Sequence, residues 1–140
     1  MHYSLIIWLS LLLVTGLHQS TDFPINNNID LIDAFEDQVE TVSLTDLFSD
    51  QGKFGDKTIR VKGKVVKVNA NILGKNWIHI QDGTEDKKGD PHDLTITSDE
   101  TFEVDEEVII EGKIVLDRDF GAGYFYEVIM EEGKRYKKKI

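Results

Sequence analysis

The sequence contains no cysteine. This absence excludes disulfide bonds, thiol catalysis and zinc or iron–sulfur sites built on thiolates. A phosphate-binding glycine loop is also missing, because Gly121-Ala122-Gly123 is followed by neither a helix nor a lysine. No Ser/His/Asp arrangement indicates a nucleophile. We therefore predict that the protein is not an enzyme and carries no cofactor.

Basic residues are scarce, with 16 Lys and Arg against 26 Asp and Glu, which gives a net charge of −10. A chain this acidic repels phosphate backbones at long range, so nucleic-acid binding would have to depend on a local feature. The length of 140 residues, with 40% hydrophobic and 30% charged residues, is typical of one globular domain that can bury its own core.

Charged side chains are absent from the first twenty residues. The apolar run 5–14 has the length of a signal-peptide core and is shorter than the roughly 20 residues of a membrane-spanning helix. Residues 1–20 are therefore predicted to be a signal peptide, which makes the protein exported, either periplasmic or secreted, with no transmembrane span in the mature chain. An uncleaved leader would instead tether the domain, also outside the cytoplasm.

Hydrophobic periodicity predicts one helical turn followed by strands. Ser43 is a candidate N-cap for a short helix over 44–48. From Thr58 onward apolar residues alternate with polar ones, and this alternation shifts phase between Val65 and Val66, which predicts a β-bulge or a sharp strand bend. The predicted strands are 58–68, 77–81, 94–97, 107–116 and 124–130.

Five antiparallel strands, two of them interrupted by glycine, favour a small closed barrel over a seven-stranded sandwich. The predicted fold class is all-β, a five-stranded OB-fold Greek-key barrel with a short N-terminal helix. We place the OB-fold domain at 41–133, after an acidic tether at 21–40 and before a basic tail at 134–140. The tail is either a contact for phosphates or an anionic membrane, or a frayed terminus that aids solubility.

Several segments resemble a family of exported bacterial single-domain OB-fold proteins of the tRNA-anticodon-binding type. The similarity covers about residues 40–132 and is most specific in the second and fourth of the segments 57–68, 76–84, 93–97 and 117–124. The helix at 44–48 fits the lead-in of that family. The resemblance implies an OB-fold and nucleic-acid binding.

The second and third strands of an OB barrel present their outer face to oligonucleotides or oligosaccharides. If Ile78 and Ile80 point inward, alternation places on the outer face a set of candidate binding residues: Trp77, His79, Gln81, Thr95 and Thr97. An exposed Trp77 indole would stack on a base or a sugar, and the alternative is a tryptophan that covers the barrel mouth. His79 is either a hydrogen-bonding group of the site or an ordinary surface histidine.

Two further groups complete the predicted ligand-binding set. A basic stripe on the first strand would follow a phosphate chain, or would only keep the strand soluble: Arg60, Lys62, Lys64 and Lys67. The last loop offers a cation and two rings, a composition that single-strand binders use: Arg118, Phe120 and Tyr124.

His79 and His92, with Asp90 or Asp93, are a weak pattern for a metal ion, and we predict no metal site. The sequence favours a monomeric exported module that binds single-stranded nucleic acid. The alternative is a periplasmic adaptor that binds an exported protein, an oligosaccharide or a metal through the same face.

Overall fold

The computed structural model describes residues 38–138. The elements are α1 (Leu44–Ser49), α2 (Gln51–Phe54), β1 (Thr58–Ile72), β2 (Lys75–Gln81), β3 (Leu94–Ser98), β4 (Glu107–Asp119) and β5 (Phe125–Arg135). The predicted signal peptide 1–20 and nearly all of the predicted tether 21–40 lie outside the described residues. In the described part, no helix is both long and apolar enough to cross a bilayer.

The five strands close into a barrel in the order β1-β2-β3-β5-β4, with β4 pairing again with β1. The ladders are antiparallel except between β3 and β5, which meet at one parallel pair, Ile96 with Met130. A five-stranded Greek-key barrel of this kind is an OB-fold, so the predicted fold class is confirmed.

Strand alternation fills the barrel with aliphatic side chains. Ile78 and Ile80 of β2 are fully buried, as predicted, and they pack with inward residues of the other strands. Helix α1 adds Leu44 and Leu47 to this core, and the Ser43 hydroxyl accepts a hydrogen bond from the Asp46 amide at 3.1 Å. The predicted N-cap is thus confirmed.

The predicted bulge in β1 is present, because the pairing with β2 shifts register between Val65 and Lys67. Beyond the bulge β1 continues to Ile72, past the predicted end at Val68, and forms a long hairpin with β2. Gly63 precedes the bulge, and a Cβ atom at this position would come within 2.8 Å of the Gln81 carbonyl oxygen. Glycine is therefore required for the close approach of these two strands.

Strand β5 is longer than predicted and continues through Arg135, two residues past the predicted domain end at 133. The Arg135 guanidinium lies 2.7 Å from a Glu106 carboxylate oxygen and covers the Phe102 ring at 4.1 Å. The next residue, Tyr136, donates its amide to the Ile109 carbonyl. The start of the predicted basic tail is therefore part of the barrel, because its side chains complete these contacts.

Candidate functional site

A groove opens on the outer face of β2 between two loops, the β1–β2 turn (72–75) and the β4–β5 loop (120–124). It has a volume of about 200 Å³, and mostly apolar and aromatic side chains form its wall. This aromatic groove is lined by Asn69, Ile72, Leu73, Trp77, His79, Phe120, Gly121, Ala122, Tyr124 and Tyr126. Four of the predicted binding residues therefore meet at one place: Trp77, His79, Phe120 and Tyr124.

Trp77 faces away from the core, but its indole is only 5% exposed, so the expectation of an open indole is wrong. The Phe120 ring lies edge-on at 4.9 Å between ring centres, and the Tyr126 ring lies at 5.6 Å. The indole N–H donates to the Ile72 carbonyl at 2.8 Å. Covering a large apolar ring with other rings stabilises this face, so Trp77 forms a wall of the groove and supports both loops.

The β4–β5 loop is a tight turn that brings its aromatic residues to the groove. Gly121 has a positive φ, and its amide donates to the Asp119 carboxylate at 2.7 Å. The Phe120 amide donates to the Tyr124 carbonyl and closes the turn. Tyr124 remains 58% exposed at the groove mouth, where its ring is available to a ligand.

The β1–β2 turn supplies the opposite side of the mouth, and the sequence reasoning missed it. Leu73 is 71% exposed and adopts a φ of 52°, an unusual conformation for a leucine. Exposed Ile72 precedes it, and Gly74 completes the turn with a positive φ. The signal available in the sequence was a pair of large apolar residues in a turn, where polar residues are usual. Tyr126 was missed because it lies within a strand.

A hydrogen-bonded network lies beside the groove on the β2 face. His79 Nδ1 is 2.7 Å from Asp93 Oδ1, and the Gln81 amide nitrogen donates to Asp93 Oδ2 at 3.2 Å. Partial burial opposes ionisation of Asp93, but the hydrogen bonds from His79 and Gln81 and the positive charge of Lys67 outweigh it and lower the pKa of Asp93. The carboxylate is therefore ionised at neutral pH, and Gln81 orients it rather than lining the aromatic groove.

Thr95 and Thr97 are buried, so their predicted place on an exposed face is wrong. Every residue of β3 is buried, including those that alternation places on the outer side. On β2, by contrast, the outward His79 and Gln81 remain partly open to solvent. The third strand supports the candidate site without lining it.

The predicted basic stripe does not form one surface. Arg60 is buried, with its Nε 2.8 Å from a Glu111 oxygen and its guanidinium 3.6 Å from the centre of the Tyr136 ring. The chain before α1 runs alongside β1 and covers it, since the Arg60 amide donates to the Glu40 carbonyl. Arg60 is thus a structural residue and the prediction of a phosphate contact there is wrong.

The other basic residues of that stripe remain on the surface but are separated. Lys62 and Lys64 border a second, more polar groove of about 540 Å³ that also includes Gln81 and Glu107. Lys67 lies close enough to Asp93 to lower the pKa of that carboxyl. In the β4–β5 region, Arg118 pairs with Glu131 at 3.0 Å and lies 4.8 Å from the Phe120 ring centre.

The two histidines of the barrel contact different groups. The His92 ring stacks on Phe48 of α1 at 5.1 Å, whereas His79 pairs with Asp93. Between residues 38 and 138 no cluster of three or more potential ligand side chains could hold a metal ion.

No protein-family model matches the chain, and no curated protein matches it.

Proposed function

We propose that this protein is an exported, non-enzymatic binding module that holds the bases of a short single-stranded oligonucleotide in the aromatic groove. The observation that supports this proposal is the groove itself, which lies on β2 between the β1–β2 turn and the β4–β5 loop. OB barrels bind oligonucleotides at this place. A volume of about 200 Å³ suits one flat ring at a time.

The charges around the groove indicate that stacking supplies most of the affinity. Arg118 is paired with Glu131, and Lys75 is paired with Asp99 at 2.8 Å. Among the residues that the structure describes, phosphate groups therefore have few uncommitted cations to contact near the groove. Base–aromatic stacking contributes about 1–3 kcal/mol per base without a phosphate contact.

A second candidate is an adaptor that binds an apolar segment of an exported protein in the same groove. It is favoured by the net charge of −10 and by the exposed side chains of Ile72, Leu73 and Tyr124 at the groove mouth. Exposed apolar groups that cluster around a concave site are typical of protein-binding surfaces.

Calorimetric titration with an oligothymidylate of about six nucleotides tests the first candidate. The informative variant is Tyr124→Ala, and Phe125→Ala is its matched control. Both rings are exposed to a similar degree, 58% and 54%, but only Tyr124 lines the groove. We expect Tyr124→Ala to weaken binding by about 1–3 kcal/mol and Phe125→Ala to leave it unchanged.

The same titration in rising salt separates the two candidates further. Affinity based on stacking falls only weakly with salt, whereas phosphate contacts give a steep decline. No binding of the oligothymidylate, or equal losses in Tyr124→Ala and Phe125→Ala, would refute the oligonucleotide proposal. Capture of an apolar peptide with the same dependence on Tyr124 would then favour the adaptor.

A further inference from the structure

The hydrogen bond between His79 and Asp93 determines which nitrogen of the imidazole carries the proton. Asp93 is ionised, because hydrogen bonds from His79 and Gln81 outweigh the effect of its partial burial. A carboxylate only accepts hydrogen bonds. At 2.7 Å from Asp93 Oδ1, His79 Nδ1 must therefore be the donor. In the neutral imidazole the second nitrogen, Nε2, is then left with an acceptor lone pair.

That second nitrogen is open to solvent, since no buried side-chain nitrogen of the described residues lacks a hydrogen-bond partner. His79 lines the aromatic groove and its side chain is 23% exposed. Among the described residues, Asp93 is the only hydrogen-bond partner of the His79 ring. The two ring nitrogens face nearly opposite directions, so Nε2 faces away from Asp93. His79 therefore brings an accessible acceptor to a site whose wall is otherwise mainly apolar.

We infer that His79 determines ligand specificity by accepting, at Nε2, a hydrogen bond from an N–H group on the edge of the ring bound in the groove. The inference rests on the proposed function and names its ligand class: a nucleobase with an amino or imino N–H at its edge. Asp93 and Gln81 are positioning residues, because they act on the ligand only through the orientation and proton of the imidazole.

Rings that lack an N–H group at the edge should bind less tightly beside His79. A ring without an N–H would cover Nε2 and remove its water without replacing the hydrogen bond. Polar groups left unpaired in this way cost free energy, and sites built around one hydrogen bond reject analogues that cannot make it. A pair of nucleosides that differ in one amino group should therefore differ in affinity by about tenfold or more.

The first test needs no ligand. Nitrogen NMR of the protein at mildly alkaline pH reports which imidazole nitrogen is protonated, and we expect Nδ1 for His79. In Asp93→Asn the new amide can donate to Nδ1, so the preference for that tautomer should be lost. Asp90→Asn, a nearby exposed acid, is the control and should leave the His79 signals unchanged. A wild-type proton on Nε2, or an unchanged tautomer in Asp93→Asn, would overturn the inference.

The second test uses adenosine and purine riboside, which are identical except that purine riboside lacks the exocyclic amino group. Amide chemical-shift titrations give both dissociation constants for the wild type and for His79→Phe, which keeps a ring but removes the acceptor. We expect the wild type to bind adenosine about tenfold more tightly and His79→Phe to bind the two equally.

The outcomes of the second test separate the inference from the proposed function. Equal binding of both nucleosides by the wild type overturns the role of His79 and leaves the groove as a base-binding site. A preference for adenosine that persists in His79→Phe does the same. If neither nucleoside shifts the groove resonances, the nucleic-acid function itself is refuted, and the inference with it.

Discussion

Two regions of this barrel contain aromatic rings whose surroundings differ, and they differ in what covers those rings. In one, here termed the arginine region, Arg60 covers Tyr136 and Arg135 covers Phe102. Each guanidinium also pairs with a carboxylate, Glu111 or Glu106. In the aromatic groove the rings contact one another and leave about 200 Å³ open.

Arginines and aromatic rings thus fill one region completely and leave open space in the other. A ring covered by a paired guanidinium has its face, and the charge of the cation, satisfied within the chain. Such a cluster stabilises the fold and offers little to a ligand. Rings that only line a concavity keep a free face for a partner. Arg118 lies between the two cases, since it contacts Phe120 and pairs with Glu131 while the groove stays open.

The largest effect is expected from Arg60→Met, which breaks the arginine region. The variant keeps an apolar stem but removes a partly buried ion pair with Glu111 and the contact with the Tyr136 ring, for which we expect a loss of about 2 kcal/mol. Urea denaturation should show this loss, while Lys62→Met, on the exposed side of the same strand, should stay within about 0.5 kcal/mol of wild type. Equal effects of the two variants would show that Arg60 is not a structural residue.

A smaller effect on stability is expected from Glu106→Gln, which tests how the arginine region responds to acid. The hydrogen bond from Arg135, helped by the Glu103 amide, lowers the pKa of Glu106. Because the folded-state pKa lies below the unfolded value of about 4.3, this contribution to stability is complete above that pH and is lost as the pH falls through the folded value. Thermal unfolding of Glu106→Gln should therefore vary less with acid than wild type, whereas Glu107→Gln should follow wild type. An acid profile of Glu106→Gln identical to that of wild type would contradict the assignment.

The smallest change in stability is expected for Leu73→Asn in the groove, which should make the protein slightly more stable but weaken ligand binding. Asparagine tolerates the positive φ at this position, so the free energy of unfolding should rise by about 0.5 kcal/mol. The apolar wall is lost at the same time, so calorimetry should show weaker oligothymidylate binding. Glu132→Asn replaces another residue of positive φ, outside the groove, and should gain stability with unchanged binding. Unchanged binding by Leu73→Asn would remove the β1–β2 turn from the site.

Local patterns in the sequence were sufficient for the fold. The alternation around Ile78 predicted the inward face of β2, and the phase shift after Val65 predicted the bulge, because both depend on spacing along one strand. The Ser43 cap is likewise a local hydrogen bond. These features need no knowledge of which strands become neighbours.

The candidate site could be predicted only in part, since burial of an outward side chain depends on distant residues. Alternation placed Trp77 outside the core, but the spacing of β2 does not reveal that Phe120 covers it. Arg60 was predicted to be exposed, but its guanidinium lies against the ring of Tyr136, a residue more than seventy positions away along the chain. For Thr97, alternation along β3 likewise does not reveal that every residue of this strand is buried.

The Arg60 guanidinium also joins the two places where the chain enters and leaves the barrel. It donates to the Val39 carbonyl at 3.3 Å and stacks on Tyr136, so the entering and leaving segments meet at one side chain. A short linker between them would therefore span little distance, and the exposed residues 85–91 offer a place for new ends. The barrel is accordingly a natural candidate for circular permutation, in which cargo attached at the new ends would leave from a different corner of the molecule.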